Sequence, residues 1–177
     1  MKNLKISVIG LGYIGLPTAV MFASKGIKVD GIDINQDVID AINAGKPHFI
    51  EPELDILLNK VVRDGSLKAC SELKESDVFI IAVPTPFQIN SFDQDIPEPD
   101  LSFIQSAVNT IAKVIKKGDL VILESTSPVG TTEKISKWLS AKREDLHFPH
   151  DASNNPDIKV AYCPERVLPG RILEELI

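Results

Sequence analysis

The feature that most constrains this chain is a glycine triplet, Gly10-Leu-Gly12-Tyr-Ile-Gly15, set directly behind a short β-branched run, Leu4-Lys-Ile-Ser-Val-Ile9. An apolar run that stops at glycine predicts a buried strand over 4–9, and residues 13–25 predict a helix closed by Gly26. Pro17 falls near the first turn, where a missing N–H costs least. In such a strand–turn–helix each glycine has its own reason. Gly10 allows the tight turn, Gly12 lets a pyrophosphate approach the backbone, and Gly15 lets the helix pack close to the strand. The helix N-terminus then points N–H groups at the anion. Alone, a glycine-rich turn is weak evidence, because tight turns recur without ligands. Here a second strand, over 28–33, ends in Asp33, roughly 20 residues beyond the first glycine, as a dinucleotide fingerprint requires. A carboxylate there accepts hydrogen bonds from the adenosine ribose and repels a 2′-phosphate. No Arg follows it directly, so the expected cofactor is NAD rather than NADP.

The rest of the chain keeps the alternation. Helices are expected over 35–44, 52–63, 101–115 and 131–142, and strands over 67–70, 77–83, 120–125 and 159–163. The run 77–83 is apolar throughout, as a strand covered on both faces should be. Strands alternating with helices imply an α/β fold of the Rossmann type, a doubly wound, mainly parallel sheet with helices on both faces. Ligands of such sheets sit beyond the carboxyl ends of the strands. Two of those ends read Val83-Pro-Thr85-Pro86 and Glu124-Ser-Thr126-Ser-Pro-Val-Gly130 and carry hydroxyls, although Pro, Ser, Thr and Gly also serve as ordinary turn residues. The polar loop over 85–99 is long for a connection inside a compact domain, and it is expected to be mobile.

Composition narrows the classes. With 44% hydrophobic and 25% charged residues the chain is globular, and a net charge of −6 makes it a poor nucleic-acid binder. Two cysteines, Cys70 and Cys163, do not make a disulfide scaffold and fit reduced thiols. No apolar run approaches the roughly 18 residues of a membrane span, so the expectation is a cytoplasmic protein with no membrane partner. His147, His150 and Asp151 have spacing that can ligate zinc, but no further ligand converges and the stretch is broken by proline, so no metal is expected. Trp138 and His48 read as structural. Glu51, Glu53 and Asp55 are accounted for as acids favouring the dipole at the start of the 52–63 helix. Cys163, beside Pro164, reads as a buried, small, apolar side chain, and Cys70 likewise.

Taken together, the segments Val8–Pro17, Gly31–Asn35, Glu51–Leu54, Ala82–Pro86, Leu123–Gly130 and Ala161–Gly170 resemble the nucleotide-sugar 6-dehydrogenases, over essentially the whole chain. The segment with Pro164-Glu-Arg-Val167 is the most specific and is similar to the branch that acts on UDP-N-acetylhexosamines. The UDP-glucose branch usually has Pro-Glu-Phe-Leu there. The resemblance implies a four-electron oxidation of the sugar C6 hydroxyl to a uronate with two NAD. The aldehyde is captured by a cysteine thiol, oxidised to a thioester and released by water, which holds a reactive aldehyde through cofactor exchange. By resemblance, Tyr13, Ile14, Asp33, Thr85 and Thr126 contact NAD with the glycines. Glu165 activates or orients water, and Arg166 and Val167 contact the UDP-sugar substrate. A second glutamate of many UDP-glucose enzymes is Pro169 here, so its role does not transfer.

The family's nucleophilic Cys and assisting Lys belong to later motifs, so the 1–177 stretch is expected to be the NAD-binding domain of a longer chain. The central helical and C-terminal domains would lie outside it, catalysis would not occur in these residues alone, and the full-length protein would be a homo-oligomer. The segment from Arg171 onward reads as a helix just begun. An NAD-sensing regulatory domain would also carry the glycines and the acid, but would not need the Ser-Thr126-Ser-Pro-Val-Gly turn or the 164–170 segment. A hydroxyacyl-CoA or phosphogluconate type of dehydrogenase is disfavoured by the Val-Pro-Thr-Pro and Pro-Glu-Arg-Val segments.

Overall fold

The computed structural model describes residues 4–88, 97–151, 155–164, 166–168 and 170–175. Six strands, β1 (Lys5–Ile9), β2 (Lys28–Ile32), β3 (Leu67–Cys70), β4 (Val78–Ile81), β5 (Leu120–Leu123) and β6 (Lys159–Tyr162), form one sheet. Every pairing is parallel and the order is β3-β2-β1-β4-β5-β6. That is the doubly wound dinucleotide-binding order, which reverses direction between β1 and β4. The crossovers carry α1 (Gly15–Ser24), α2 (Gln36–Asn43), α3 (Leu54–Arg63), α4 (Ser102–Ile111) and α5 (Thr131–Ser140), and a short α6 (Ile172–Glu175) follows β6.

Strand periodicity divides the core into two layers. Phe79 and Ile81 of β4 join Val121, Leu123, Ile104, Ile111, Ile135 and Leu139 on the α4/α5 face. Ile80, one residue out of phase, joins Val8, Val29, Leu16, Val20, Leu54 and Leu58 on the α1/α3 face. Both faces of the central strands are therefore covered, which is why their sequences are apolar without alternation. Burying a side chain such as the fully covered Phe79 stabilises the fold by about 1.5–3 kcal/mol. Asn35 caps α2, its side-chain oxygen accepting from the Asp37 amide at 3.0 Å, a bond of about 1 kcal/mol at such positions.

Two expectations change here. The 52–63 helix begins only at Leu54, with Glu53 as its N-cap at φ +63°, so Glu51 lies outside the helix and its first-turn acid is Asp55. Cys163 is exposed, not buried, and Cys70 is half-buried. Cys163 directly follows β6, whose side chains remain largely exposed, whereas β3 at the opposite edge buries Leu67 and Ala69. In the 85–99 loop, Phe87 bridges Pro99 in antiparallel fashion and the Gln88 amide donates to the Glu98 carbonyl at 2.8 Å, closing the base of the loop. Residues 89–96, on which the expected mobility chiefly falls, lie outside the described residues.

Candidate functional site

The glycine turn sits at the carboxyl edge of β1, at the switch point of the sheet. Gly10 adopts φ +92°, and a Cβ there would come within 2.7 Å of the Ala82 carbonyl oxygen. A Cβ on Gly15 would overlap the Gly10 carbonyl oxygen. These two glycines thus let the turn fold onto itself and onto the end of β4. Gly12 differs: a Cβ there would meet no protein atom within 4 Å, so the space before it is open. No side chain caps α1 at Ile14 and no acid stands in its first turn. Leu16 and Thr18 donate to the Gly12 and Ile14 carbonyls, so what the helix offers an anion is chiefly the positive end of its dipole behind the glycine turn. This cradle fits the pyrophosphate of a dinucleotide.

The cleft in front of it has a volume of about 310 Å³ and is lined by Gly12, Tyr13 and Ile14 on one side and by Val83, Thr85, Ser125 and Thr126 on the other. Hydroxyls hold that second wall together. Thr85 Oγ1 donates to the Thr126 carbonyl at 2.7 Å, and Ser125 Oγ donates to the Val83 carbonyl at 2.6 Å. Behind the wall Thr18 Oγ1 donates to Glu124 Oε1 at 2.8 Å, joining α1 to the end of β5. Asp33 occupies the end of β2. Its Oδ2 accepts from the Leu11 amide at 2.9 Å and its Oδ1 from the Asn35 amide at 2.9 Å. The carboxylate that is expected to read the ribose thus also fixes the glycine turn.

Of the residues singled out in the sequence, Gly10, Gly12, Tyr13, Ile14, Gly15, Asp33, Thr85 and Thr126 meet at this edge. Arg166 is exposed and Val167 half-buried in the stretch after β6, and Glu165 lies outside the described residues. Neither cysteine sits in the cleft lining. Burial, followed by the charge of Asp30, raises the Cys70 thiol above its ordinary range, so Cys70 stays a protonated and weak nucleophile. His150 Nδ1 pairs with Ser136 Oγ at 2.7 Å, and Asp151 accepts from the Phe148 amide at 2.7 Å, so both serve the local loop. A larger open groove of about 580 Å³, with Asp100, Lys134 and Trp138 in its walls, lies apart from the glycine turn.

Sequence reasoning missed Glu51. It is 5% exposed, and Oε2 accepts from the Tyr13 hydroxyl at 3.3 Å and the Gly170 amide at 3.0 Å, while Oε1 accepts from the Ile172 amide at 2.8 Å. Burial, and then the neighbouring Glu51 charge, raise the Tyr13 hydroxyl above its ordinary range, so it remains a donor at neutral pH. The one signal available was the position of Glu51 in a distinctive segment, which its nearness to a helix start masked.

A family model described as the UDP-glucose/GDP-mannose dehydrogenase family, NAD binding domain, matches residues 4–177. A UDP-N-acetyl-D-mannosamine dehydrogenase from Campylobacter jejuni is 60% identical over 173 residues, covering 98% of this chain and 41% of that protein. An NDP-N-acetyl-D-galactosaminuronic acid dehydrogenase from Ralstonia nicotianae is 56% identical over 97% of this chain and 39% of its own length. Among solved structures, a UDP-D-ManNAc dehydrogenase from Pyrococcus horikoshii superposes with a TM-score of 0.86 at 46% identity, over 98% of this chain and 39% of that one. The chain thus spans about two-fifths of the length of these relatives.

Proposed function

The chain belongs to the UDP-glucose/GDP-mannose dehydrogenase family, whose NAD-binding domain it matches, and from that premise we propose that it is the cofactor-binding part of a nucleotide-sugar 6-dehydrogenase. The substrate is a UDP-N-acetylhexosamine, UDP-N-acetyl-D-mannosamine first, oxidised at C6 to the uronate with two NAD for surface polysaccharide precursors. UDP-N-acetyl-D-glucosamine and UDP-glucose are the alternatives within the family. The observation that carries this reading is the tie between the cleft and the stretch after β6. That stretch leaves the β6 edge at Cys163 and returns to Tyr13 through Glu51. Those two contacts, at Cys163 and at Gly170, lie toward the carboxyl ends of the strands, where the cleft beside Tyr13 opens.

When bound, NAD supplies the hydride acceptor. The residues of this chain do the rest of the holding. Gly10, Gly12 and Gly15 shape the turn, and the positive end of the α1 dipole would face the pyrophosphate. Asp33 accepts from the ribose, Tyr13 and Ile14 form one wall, and Thr85 and Thr126 form the other. Arg166 and Val167 face the sugar nucleotide, and Glu165 orients water for release of the uronate. The thiol and the assisting lysine come from outside these 177 residues, in a protein that is a cytoplasmic homo-oligomer. Among the described residues no helix is long and apolar enough to cross a membrane. The 56% identity to an NDP-N-acetyl-D-galactosaminuronic acid dehydrogenase favours a galacto epimer as a second reading. A coupled NADH assay of the full-length enzyme decides between them. Two NADH per uronate with the manno sugar, at a kcat/KM above those for the gluco and galacto sugars and UDP-glucose, is the expected result. Preference for another sugar would overturn the manno assignment.

A further inference from the structure

Glu51 is an odd residue to bury. It does not cap the neighbouring α3, which starts at Leu54 behind Glu53; its Oε1 instead accepts from the first amide of the distant α6, that of Ile172. Packing gives no reason for a carboxylate there, because α6 is already anchored by Ile172, which is fully buried, and by Leu173, which joins the α1/α3 core. Burying a charged side chain costs free energy unless its oxygens are satisfied. What a carboxylate provides and an apolar side chain cannot is direction. Its oxygens accept from the Gly170 and Ile172 amides, 119 and 121 residues away, and from the Tyr13 hydroxyl, 38 residues away on the other side. Tyr13 in turn lines the dinucleotide cleft beside Gly12 and packs its ring on Phe49 at 4.8 Å. One side chain therefore joins the wall of the cofactor cleft to the backbone that follows Arg166 and Val167.

We propose that Glu51 is a positioning residue that couples occupancy of the dinucleotide cleft to placement of the stretch before α6. A dinucleotide in the cleft restricts Tyr13. Restricting Tyr13 fixes the hydroxyl that Glu51 accepts from, and Glu51 then holds the Gly170 and Ile172 amides in one arrangement. By linkage, a ligand that orders the 166–168 stretch strengthens dinucleotide binding by the same factor. The consequence for substrate rests on the reading of Arg166 and Val167 given above, whereas the coupling itself does not.

Amide hydrogen exchange of the 177-residue chain, resolved at Gly170 and Ile172, tests it. NAD is added at saturation for each variant. In the unaltered chain NAD should slow exchange at both amides by about fivefold or more, the lower end of ordinary coupling factors. In Tyr13→Phe, which keeps the ring and removes only the hydroxyl, the slowing should fall below about twofold at saturation. Glu51→Gln should behave likewise, with faster exchange at both amides even without NAD. If Glu51→Gln does not fold, Tyr13→Phe carries the test. A purely structural clamp predicts slow exchange that ignores NAD, and that result overturns the proposal. So does equal NAD protection in Tyr13→Phe. Because exchange needs no turnover, failure of the full-length enzyme to oxidise any sugar nucleotide would refute the functional reading and leave the coupling intact.

Discussion

Replacing Asp33 by alanine separates the local task the structure gives this carboxylate from the ribose recognition proposed for it. The first is local. The Leu11 amide lies in the glycine turn, its residue fully buried, and loses its acceptor at 2.9 Å. The Asn35 amide is exposed and turns to water. Stranding the partly buried amide costs about 1–3 kcal/mol and the exposed one little, so unfolding in urea should report a loss of about 1–3 kcal/mol. The second task is recognition. A charge-assisted bond to the ribose contributes about 1.5–3 kcal/mol, so NAD should bind roughly 10- to 150-fold more weakly. NADP should lose less, because removing the carboxylate also removes its repulsion of the 2′-phosphate. Calorimetric titration with both cofactors measures the difference. Asp33→Asn isolates charge from shape, since its amide oxygen can still accept from Leu11. It should unfold close to the unaltered protein while narrowing the gap between NAD and NADP. If both cofactors weaken by the same factor in both variants, Asp33 acts only through the turn and the assignment of ribose recognition is wrong.

Further outcomes are expected from the same geometry. Gly15→Ala places a methyl on the Gly10 carbonyl oxygen, and overpacking of this kind costs about 1–3 kcal/mol or more. Chemical denaturation should show that loss together with weakened NAD binding, and an unchanged midpoint would contradict the close approach. The hydrogen bond from Lys117, at 2.6 Å, and that from the His147 amide, at 3.0 Å, hold the Asp157 carboxyl below its ordinary range. A lowered folded-state pKa stabilises above the unfolded value near 3.9, and the contribution disappears as pH falls through the folded value. Thermal melts of Asp157→Asn should therefore fall less steeply below about pH 4 than those of the unaltered protein. Parallel curves would remove Asp157 from the acid transition. Finally, these 177 residues alone should release no NADH with any UDP-sugar, because Cys70 is held protonated and the exposed Cys163, just after β6, does not line the dinucleotide cleft. Missing a positioned acid–base group alone costs about 10²–10⁴-fold. Turnover abolished by Cys163→Ser would place the nucleophile inside this chain.

The sequence by itself determined the turn, the order of elements and the place of Asp33 at the end of the second strand. Those features depend on local sterics: a positive φ at Gly10, a missing Cβ at Gly15, a carboxylate ending a β-branched run, and apolar runs that must be covered on both faces. Thr85 and Thr126 were found in the sequence as hydroxyls at strand ends. Only the fold made them a single wall, by pairing β4 with β5 in parallel so that one side chain reaches the other backbone. Cys163 was misread because burial depends on which strand faces the rest of the fold covers, and that is not written in its neighbours in sequence: β3 at one edge buries Leu67 and Ala69, while β6 at the other stays largely exposed. Glu51 was misread for a related reason. Two of its partners are 119 and 121 residues away, and no local pattern encodes a carboxylate's task when its donors arrive only after the sheet has closed the distance.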